Sequence, residues 1–208
     1  MTVETAEDTR SRLLATALTL FSTHGVGGTS LQMIADELGV TKAAVYYHFK
    51  TKDQITEAVA APALQELIER MAEAGARRTR GAQIDHALSG FVDIVVRYRS
   101  LIALFNSDPG IMRAIDRSLD GVENLAARMR ALLVGPDAEL AAALTANVAL
   151  AGIALAGGAP EQADLDDDVL REHLIDIGRR LLGRPKRRAR SVAPRDGGQP
   201  SRAADTTT

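Results

Sequence analysis

The sequence predicts an all-α fold, and three features of the chain lead to this prediction. Apolar residues recur at three- and four-residue spacing along most of the 208 residues, which is the period of an amphipathic helix. Alternating runs of β-branched residues between turn signals, which would indicate strands, are not found. Segments that contain Gly and Pro interrupt the helical pattern and mark the connections between helices.

Composition restricts the class of protein. With 46% hydrophobic and 25% charged residues, the chain resembles a soluble globular protein. The absence of cysteine excludes a disulfide framework, a thiolate zinc site and a thiol nucleophile. The polar, acidic start "MTVETAEDTR" lacks the basic and apolar regions of a signal peptide, so we expect a cytoplasmic protein. A net charge of -2 disfavours nucleic-acid binding by overall charge, so DNA binding would require a local surface.

One segment approaches the length of a membrane span. Residues 140 to 160 are mostly alanine and leucine, but they include Thr145, Asn147 and several glycines. We therefore expect a buried helix here and no association with a membrane.

The first helices have recognisable start and stop signals. Leu13, Ala17 and Phe21 share one face of the first helix, which ends at the glycine-rich "HGVGG". Thr29 is the predicted N-cap of the second helix, with Gln32 completing a capping box. Gly39 then ends the second helix, and two further N-caps, Thr41 and Thr51, open the third and fourth. The fourth helix is long and contains Pro62, which should bend it.

The rest of the chain is predicted to form a larger helical domain. A plausible linker covers residues 75–81, and further helices are expected at 82–104, 109–134, 137–157 and 166–182. The segment after Gly183 is basic and nearly free of large apolar residues, so we expect disorder there. The predicted units are residues 1–55, 56–183 and 184–208.

The second and third helices form a helix-turn-helix pattern. Residues 39–52, "GVTKAAVYYHFKTK", hold three of the seven aromatic residues and three of the four lysines. Val45 and Phe49 point inward by helical spacing, whereas Lys42, Ala43, Tyr46 and Tyr47 share the other face. Such a pattern is typical of a recognition helix in the major groove, although a glycine-turned helix pair also occurs in structural bundles.

Residues 10–56 closely resemble the DNA-binding domain of the TetR family of bacterial transcriptional regulators. The apolar helix ending in "F…HG", the "TS…IA…GV" second helix and the "YYHFK.K" end of the third carry this resemblance. It covers about the first quarter of the chain. It implies an N-terminal helix-turn-helix domain, followed by a helical domain for ligand binding and dimerisation.

The resemblance also implies which residues contact double-stranded operator DNA. Residues that match base-contacting positions are Gln32, Lys42, Ala43 and Tyr46, and those that match phosphate-contacting positions are Thr29, Thr41, Tyr47, His48 and Lys52. Of these, Gln32 suits an adenine edge and Lys42 suits guanine acceptors. His48 has a second interpretation, as a partly buried residue that holds the turn together.

The family resemblance further implies a homodimer that forms through the last two helices. The apolar stripe Leu170, Leu174, Ile177 and Leu181 on the last helix is the predicted interface. The same stripe could instead be buried within one chain.

A small apolar or mixed-polarity effector that releases DNA is likewise implied by the family. The predicted pocket wall is apolar: Leu67, Met71, Phe91, Val95, Ile102, Phe105, Met112, Ile115, Leu119 and Val148. At helical spacing these residues also fit an ordinary core. The resemblance therefore implies a sequence-specific regulator, expected to be a repressor that the effector releases from a palindromic operator. The alternative is a regulator without an effector, constitutive or controlled by a protein partner.

An enzyme is the less favoured class. The four histidines, at positions 24, 48, 86 and 173, are far apart in the sequence and have no neighbouring acid or nucleophile. The acidic run "DLDDD" at 164–168 lacks the glycine and the final glutamate of a calcium loop, and it is better placed to cap the last helix. We therefore expect no catalytic residues, no metal and no cofactor.

Overall fold

The computed structural model describes residues 6–108, 111 and 122–184, and the statements below refer to this part of the chain. The described elements are α1 (Ala6–Gly28), α2 (Leu31–Leu38), α3 (Lys42–His48), α4 (Lys52–Gly75), α5 (Arg80–Arg97), α6 (Arg99–Ser107), α7 (Val122–Val134), α8 (Leu140–Gly157) and α9 (Asp167–Leu181). A short 3-10 turn, Pro160–Gln162, lies between α8 and α9. No strand occurs among these residues, so the all-α prediction is confirmed. The predicted tail after Gly183 lies almost wholly outside them.

A first apolar core joins α1, α2, α3 and the start of α4. Leu13, Phe21, Ile34, Val45 and Ile55 are buried at its centre. Because these residues come from four helices, removing any one of them would leave a cavity shared by its neighbours. The core therefore fixes the angle between α2 and α3.

The predicted caps at Thr41 and Thr51 are confirmed. The Thr41 hydroxyl accepts a hydrogen bond from the Ala44 N–H, and the Thr51 hydroxyl accepts one from Gln54 N–H. Gly39 ends α2 with φ 69°, a left-handed conformation that favours glycine. Three predicted helix boundaries therefore agree with the structure.

The predicted cap at Thr29 is wrong. Ser30 is the N-cap of α2, and its hydroxyl accepts from the Met33 N–H. Thr29 is buried, and its hydroxyl donates to the carbonyls of Gly25 and Leu20 at 2.8 and 3.2 Å. The cause is Gly25, whose φ of 72° and ψ of 162° turn the chain at the end of α1 and delay the start of α2 by one residue.

The fourth helix passes through both cores of the molecule. Its first half contributes Ile55 and Ala60 to the first core, and its second half contributes Met71 and Ala74 to a second one. Pro62 lies between the two halves, within a helix that is continuous from Lys52 to Gly75. Packing on both sides therefore holds α4 together where the proline removes a backbone hydrogen bond.

The single helix predicted at 82–104 is wrong, because two helices meet at Tyr98. Tyr98 has φ -107° and ψ 30°, so α5 ends at Arg97 and α6 begins at Arg99 in a new direction. The apolar period continues through this break, since Leu101 and Leu104 still follow Ile94 at helical spacing and are buried. Periodicity alone therefore gave no sign of the break. Of the helix predicted at 109–134, only Ile111 and residues 122–134 are described.

The second core lies between α4, α5, α7, α8 and α9. Leu88, Val95, Met129, Ile153 and Leu174 are among its buried residues. Two glycines permit the close packing: a Cβ at Gly157 would lie 2.2 Å from Val95 Cγ1, and one at Gly178 would lie 2.6 Å from Leu88 Cδ1. Helices α8 and α9 thus approach α5 more closely than alanine would allow.

The prediction that residues 140–160 form a buried helix is wrong for one side of α8. Small residues and Ile153 face the core, whereas Leu140, Leu144, Val148 and Leu155 are exposed. By length and composition alone α8 could cross a membrane, and 22% of that segment is buried. Because the helix is apolar all round, its sequence does not distinguish the side that faces the core.

Candidate DNA-binding surface

Helix α3 presents the surface that the sequence predicted. Val45 and Phe49 are buried, with relative exposures of 0% and 5%. Lys42, Ala43 and Tyr46 are exposed on the opposite side, and Tyr47 exposes 76% of its surface. The buried pair fixes the rotation of the helix, so the exposed side chains point away from the protein together.

The exposed side of α3 is held by contacts within its own segment. Lys42 Nζ lies 5.9 Å from the centre of the Tyr46 ring. Lys50 Nζ donates to the Tyr46 carbonyl at 2.6 Å, which satisfies an open carbonyl at the C-terminal end of this short helix. The Lys50 N–H in turn donates to Gln54 Oε1 at 2.8 Å, linking the end of α3 to α4. These contacts place two cationic groups beside the exposed tyrosines.

Gln32 and Thr41 are also exposed. The Gln32 amide donates to Asp36 Oδ1 at 2.7 Å, within α2. Thr41 lies between α2 and α3, where its hydroxyl already accepts the capping hydrogen bond. Both side chains are therefore available at the surface near the start of α3, although each has one internal partner.

Two residues that were predicted to contact phosphates form hydrogen bonds within the protein instead. Thr29 is only 2% exposed, so its hydroxyl does not reach the surface, and its predicted phosphate contact is wrong for the conformation described here. Lys52 is half-buried, and its Nζ donates to the carbonyls of Gly27 and Thr29 at 3.2 and 2.9 Å. Both residues hold the turn between α1 and α2.

His48 lies at the edge of the exposed side of α3. It is half-buried, and its ring meets the Tyr47 ring edge-on, with 5.2 Å between ring centres. On its other side it lines an open groove of about 920 Å³ between α1 and α4, where Arg10 lies over the Phe49 ring. Its position fits both interpretations derived from the sequence.

A family model for "Bacterial regulatory proteins, tetR family" matches residues 13–59, which include all the elements of this surface. The similarity continues beyond that segment: a TetR/AcrR-family regulator from Thermobifida fusca is 26% identical, with a TM-score of 0.53 and coverage of 84% of this chain and 97% of the other. Residues 13–59 thus match the TetR family, and the fold of the described chain is similar to that of a TetR/AcrR-family regulator.

Curated TetR-family relatives match the DNA-binding end. The probable acrEF/envCD operon repressor of Escherichia coli K12 is 42% identical over 69 residues, which are 32% of this chain and 31% of the repressor. The regulator AcrR of Shigella flexneri is 48% identical over 54 residues, 26% of this chain and 25% of AcrR. The chain thus spans about a third or less of these relatives. They are named as regulators, in agreement with the expectation that this chain is not an enzyme.

A solved structure with lower sequence identity supports the fold alone. The ketosteroid regulator KstR2 of Mycobacterium tuberculosis has a TM-score of 0.65 at 15% identity, with coverage of 88% of this chain and 97% of KstR2. The arrangement of an N-terminal helix-turn-helix domain and a helical second domain therefore agrees with TetR-like solved structures.

Four of the residues predicted to line an effector pocket belong to the second core of the chain. Met71 and Val95 are buried in the second core, and Leu67 and Phe91 pack against it. The remaining described residues are Ile102 and Phe105, half-buried on α6, and Val148, which is 60% exposed on α8. Val148 was misplaced because the apolar side of α8 faces outward. Met112, Ile115 and Leu119 lie outside the described residues.

Open grooves occur elsewhere in the described part of the chain. One of about 270 Å³ lies where α1, α4 and the α5–α6 junction meet, and Pro62 and Tyr98 contribute to its wall. Another of about 520 Å³ lies beside α6 and the segment that follows α8, with Asn106 and Leu155 in its wall. Sequence periodicity could not reveal them, because each depends on how separate helices meet.

Charged side chains join α4 to α5 near the smaller groove. Arg97 Nη1 donates to both carboxylate oxygens of Glu66, at 2.8 and 2.9 Å. Burial of Tyr98, and next the nearby Glu66 carboxylate, raise the pKa of Tyr98. Further along, His86 Nε2 lies 2.8 Å from Glu73, and this hydrogen bond lowers the pKa of the Glu73 carboxyl. Arg97 and Tyr98 therefore both have partners within the chain.

The predicted dimer stripe on α9 is divided by the structure. Leu170 and Leu174 are buried within the chain, at 5% and 3% exposure, so they are not available to a partner. Ile177 and Leu181 are exposed, at 42% and 43%. The alternative interpretation, in which the stripe is buried within one chain, therefore holds for Leu170 and Leu174. Val169 on α9 is also exposed, as are three of the leucines of α8, which the sequence predicted to be buried.

Proposed function

We propose that the chain is a sequence-specific DNA-binding transcriptional regulator that places α3 in the major groove of its operator. The observation that carries this proposal is the exposed group Lys42, Ala43, Tyr46 and Tyr47, held on one side of α3 by the burial of Val45 and Phe49. A short helix with its N-terminal residues exposed fits the groove in this way. The match of residues 13–59 to the TetR family and the names of the relatives support the same function.

Each exposed side chain has a role that follows from its chemistry. The Lys42 ammonium donates to guanine O6 and N7, and the Gln32 amide both donates and accepts on an adenine edge. Ala43 allows close approach to a thymine methyl, while Tyr46 lies beside it on the base-facing side. Tyr47, Thr41 and His48 are placed for phosphates, which set the register of the helix without reading sequence.

The test is selection of genomic DNA fragments with the purified protein. Wild-type protein is expected to enrich fragments that share a near-palindromic sequence. Lys42→Ala and Gln32→Ala should change the preferred bases, whereas Arg128→Ala, an exposed residue of α7, should select the same sequence. Failure of the wild type to enrich any sequence would refute the proposed function.

We further infer that the regulator acts as a homodimer through α8 and α9. Leu144 and Val148 on α8 and Val169, Ile177 and Leu181 on α9 form the exposed apolar face. Solvent-exposed apolar side chains in such number favour association. A second copy related by two-fold symmetry would bury this face and place two α3 helices on a palindrome.

In more detail, we propose that the protein represses transcription in the cytoplasm and that a small effector relieves this repression. An effector releases DNA only to the extent that it prefers the conformation with low DNA affinity. The long α4 joins the two cores, so a change in its tilt would reach α3. A thermal-shift screen tests this part, since an effector that binds the folded protein raises its melting temperature once its concentration exceeds the dissociation constant. If no compound raises the melting temperature, regulation without an effector is the conclusion.

A further inference from the structure

The turn between α1 and α2 is held from three sides. It comprises residues 25–29, which begin at the non-helical Gly25 inside the α1 range and end just before Ser30, the N-cap of α2. Thr29 bonds inward to the end of α1, and Lys52 donates to the carbonyls of Gly27 and Thr29 from the start of α4. The third contact comes from a distant part of the chain.

Asp108, the residue that ends α6, supplies this third contact. Its Oδ2 accepts a hydrogen bond from the Val26 N–H at 2.6 Å, across 82 residues of sequence. Asp108 itself is well fixed, since its N–H donates to the Leu104 carbonyl and its own carbonyl accepts from the Ile111 N–H at 3.2 Å. A carboxylate that accepts from a backbone N–H forms one of the stronger hydrogen bonds in proteins.

Asp108 also lies close to Gly25, the first residue of the turn. Gly25 has φ 72°, and a Cβ added there would lie 3.2 Å from Asp108 Oδ2. The turn, with its left-handed glycine, and the carboxylate are thus in close contact. From the end of α6, Asp108 accepts a hydrogen bond from the Val26 N–H of this segment. From the start of α4, Lys52 donates to the carbonyls of Gly27 and Thr29.

The neighbouring side chains show that the end of α6 is part of the first core. Leu104 and Ile111 are 3% and 1% exposed, and both pack in the cluster that contains Phe21, Ile34 and Val45. The predicted boundary at residue 55 therefore does not describe a self-contained DNA-binding unit. Its core is completed by residues that lie on and after α6.

We propose that Asp108 is a positioning residue for DNA binding, because it fixes the 25–29 turn and thereby the placement of α2 and α3. The inference rests on the proposed function, because it concerns DNA affinity. It gives the second domain, through Asp108, a direct part in that affinity. A shift of α6 would lengthen the Asp108–Val26 bond and move α2. The regulator would then have two connections between its domains, α4 through Lys52 and α6 through Asp108.

The experiment compares Asp108→Ala with Asp108→Asn in the full chain. Asparagine keeps an oxygen that accepts from Val26, whereas alanine removes it. Asp164→Ala, in the exposed segment before α9, is the matched control. On a fragment selected by the wild type, Asp108→Ala should weaken binding about tenfold, as expected for the loss of one charged hydrogen bond. Asp108→Asn should lose less, and Asp164→Ala should bind as the wild type does.

Amide hydrogen exchange separates positioning from general destabilisation. In Asp108→Ala, exchange should accelerate in residues 25–38 and stay unchanged in α8 and α9. Wild-type affinity and wild-type exchange in Asp108→Ala would overturn the inference, as would an equal rise in exchange throughout the chain. If the wild type selects no DNA, the proposed function fails. Exchange in residues 25–38 then decides the role of Asp108 in placing the turn.

Discussion

Tyr47 exposes 76% of its surface, although an aromatic ring gains stability from burial. Among the described residues, the ring contact that Tyr47 makes is its edge-on contact with His48. A tyrosine at the edge of a recognition helix can donate to a phosphate while its ring packs on the sugar. We therefore expect the Tyr47 ring to contact DNA and not the protein core.

Substitution of Tyr47 should separate stability from DNA binding. We expect Tyr47→Phe to leave the free energy of unfolding within about 0.5 kcal/mol of wild type, because the side chain is exposed. DNA affinity should fall several-fold, since the phosphate contact of the hydroxyl is lost. Chemical denaturation and fluorescence anisotropy measure the two quantities. Equal DNA affinity of Tyr47→Phe and the wild type would argue against a phosphate contact.

Gly157 and Gly75 offer a test of close packing at single positions. Gly157→Ala places a methyl group 2.2 Å from Val95 Cγ1, so we expect destabilisation of about 1–3 kcal/mol from overpacking. Gly75, at the end of α4, has open space around it, and Gly75→Ala should be neutral or slightly stabilising. Urea denaturation of both variants provides the comparison. A Gly157→Ala variant as stable as wild type would contradict the described packing of α8 on α5.

At the scale of elements, α4 and α5 are joined by ion pairs along one seam. Glu66 and Glu73 on α4 meet Arg97 and His86 on α5, and Gly90 allows Arg70 to pass closely. A Cβ at Gly90 would lie 3.0 Å from the Arg70 Cβ. We therefore expect the second half of α4 to move together with α5.

The Glu73–His86 pair predicts a pH dependence with a defined sign. The hydrogen bond from His86 is the largest cause that lowers the Glu73 pKa below its ordinary 4.5. The pair therefore stabilises the fold above about pH 4.5, and this contribution is lost as the pH falls through the lower folded value. Glu73→Gln should flatten the stability curve in that acid range. Melting temperatures measured from pH 6 to 3 would show the same slope in both proteins if the pair contributed nothing.

The sequence predicted local features better than it predicted contacts between distant helices. The caps at Thr41 and Thr51 and the inward direction of Val45 and Phe49 are confirmed, because neighbouring residues determine them. Thr29 and Ser30 are adjacent and equally suited to capping, and the φ of Gly25 decided between them. The side of α8 that faces out was not predictable, since the helix is apolar all round.

At the scale of the whole molecule, the two domains share residues as well as a helix. The first core includes Leu104 and Ile111 from the second domain, and Asp108 bonds to the turn before α2. These contacts join positions that are far apart in the sequence, so helical periodicity gave no indication of them. We therefore expect DNA affinity to depend on the position of α6.

The exposed apolar face of α8 and α9 predicts the oligomeric state. We expect Val148→Glu to convert the homodimer to a monomer, since it places a charge in an interface of apolar side chains. Ala126→Glu on α7, also exposed, is the matched control and should remain a dimer. Analytical ultracentrifugation measures both masses. If wild type sediments as a monomer at micromolar concentration, the proposed interface is wrong.

The central claim is that α3 reads bases, and the affinity of Lys42→Ala for substituted operators tests it most directly. Each base pair of one half-site in a selected fragment is changed in turn, and the dissociation constants of wild type, Lys42→Ala and Arg128→Ala are measured. The wild type and Arg128→Ala should prefer guanine at one position by about tenfold, and Lys42→Ala should lose that preference while keeping the others. An identical preference profile for all three proteins would contradict the assignment of α3 as the recognition helix.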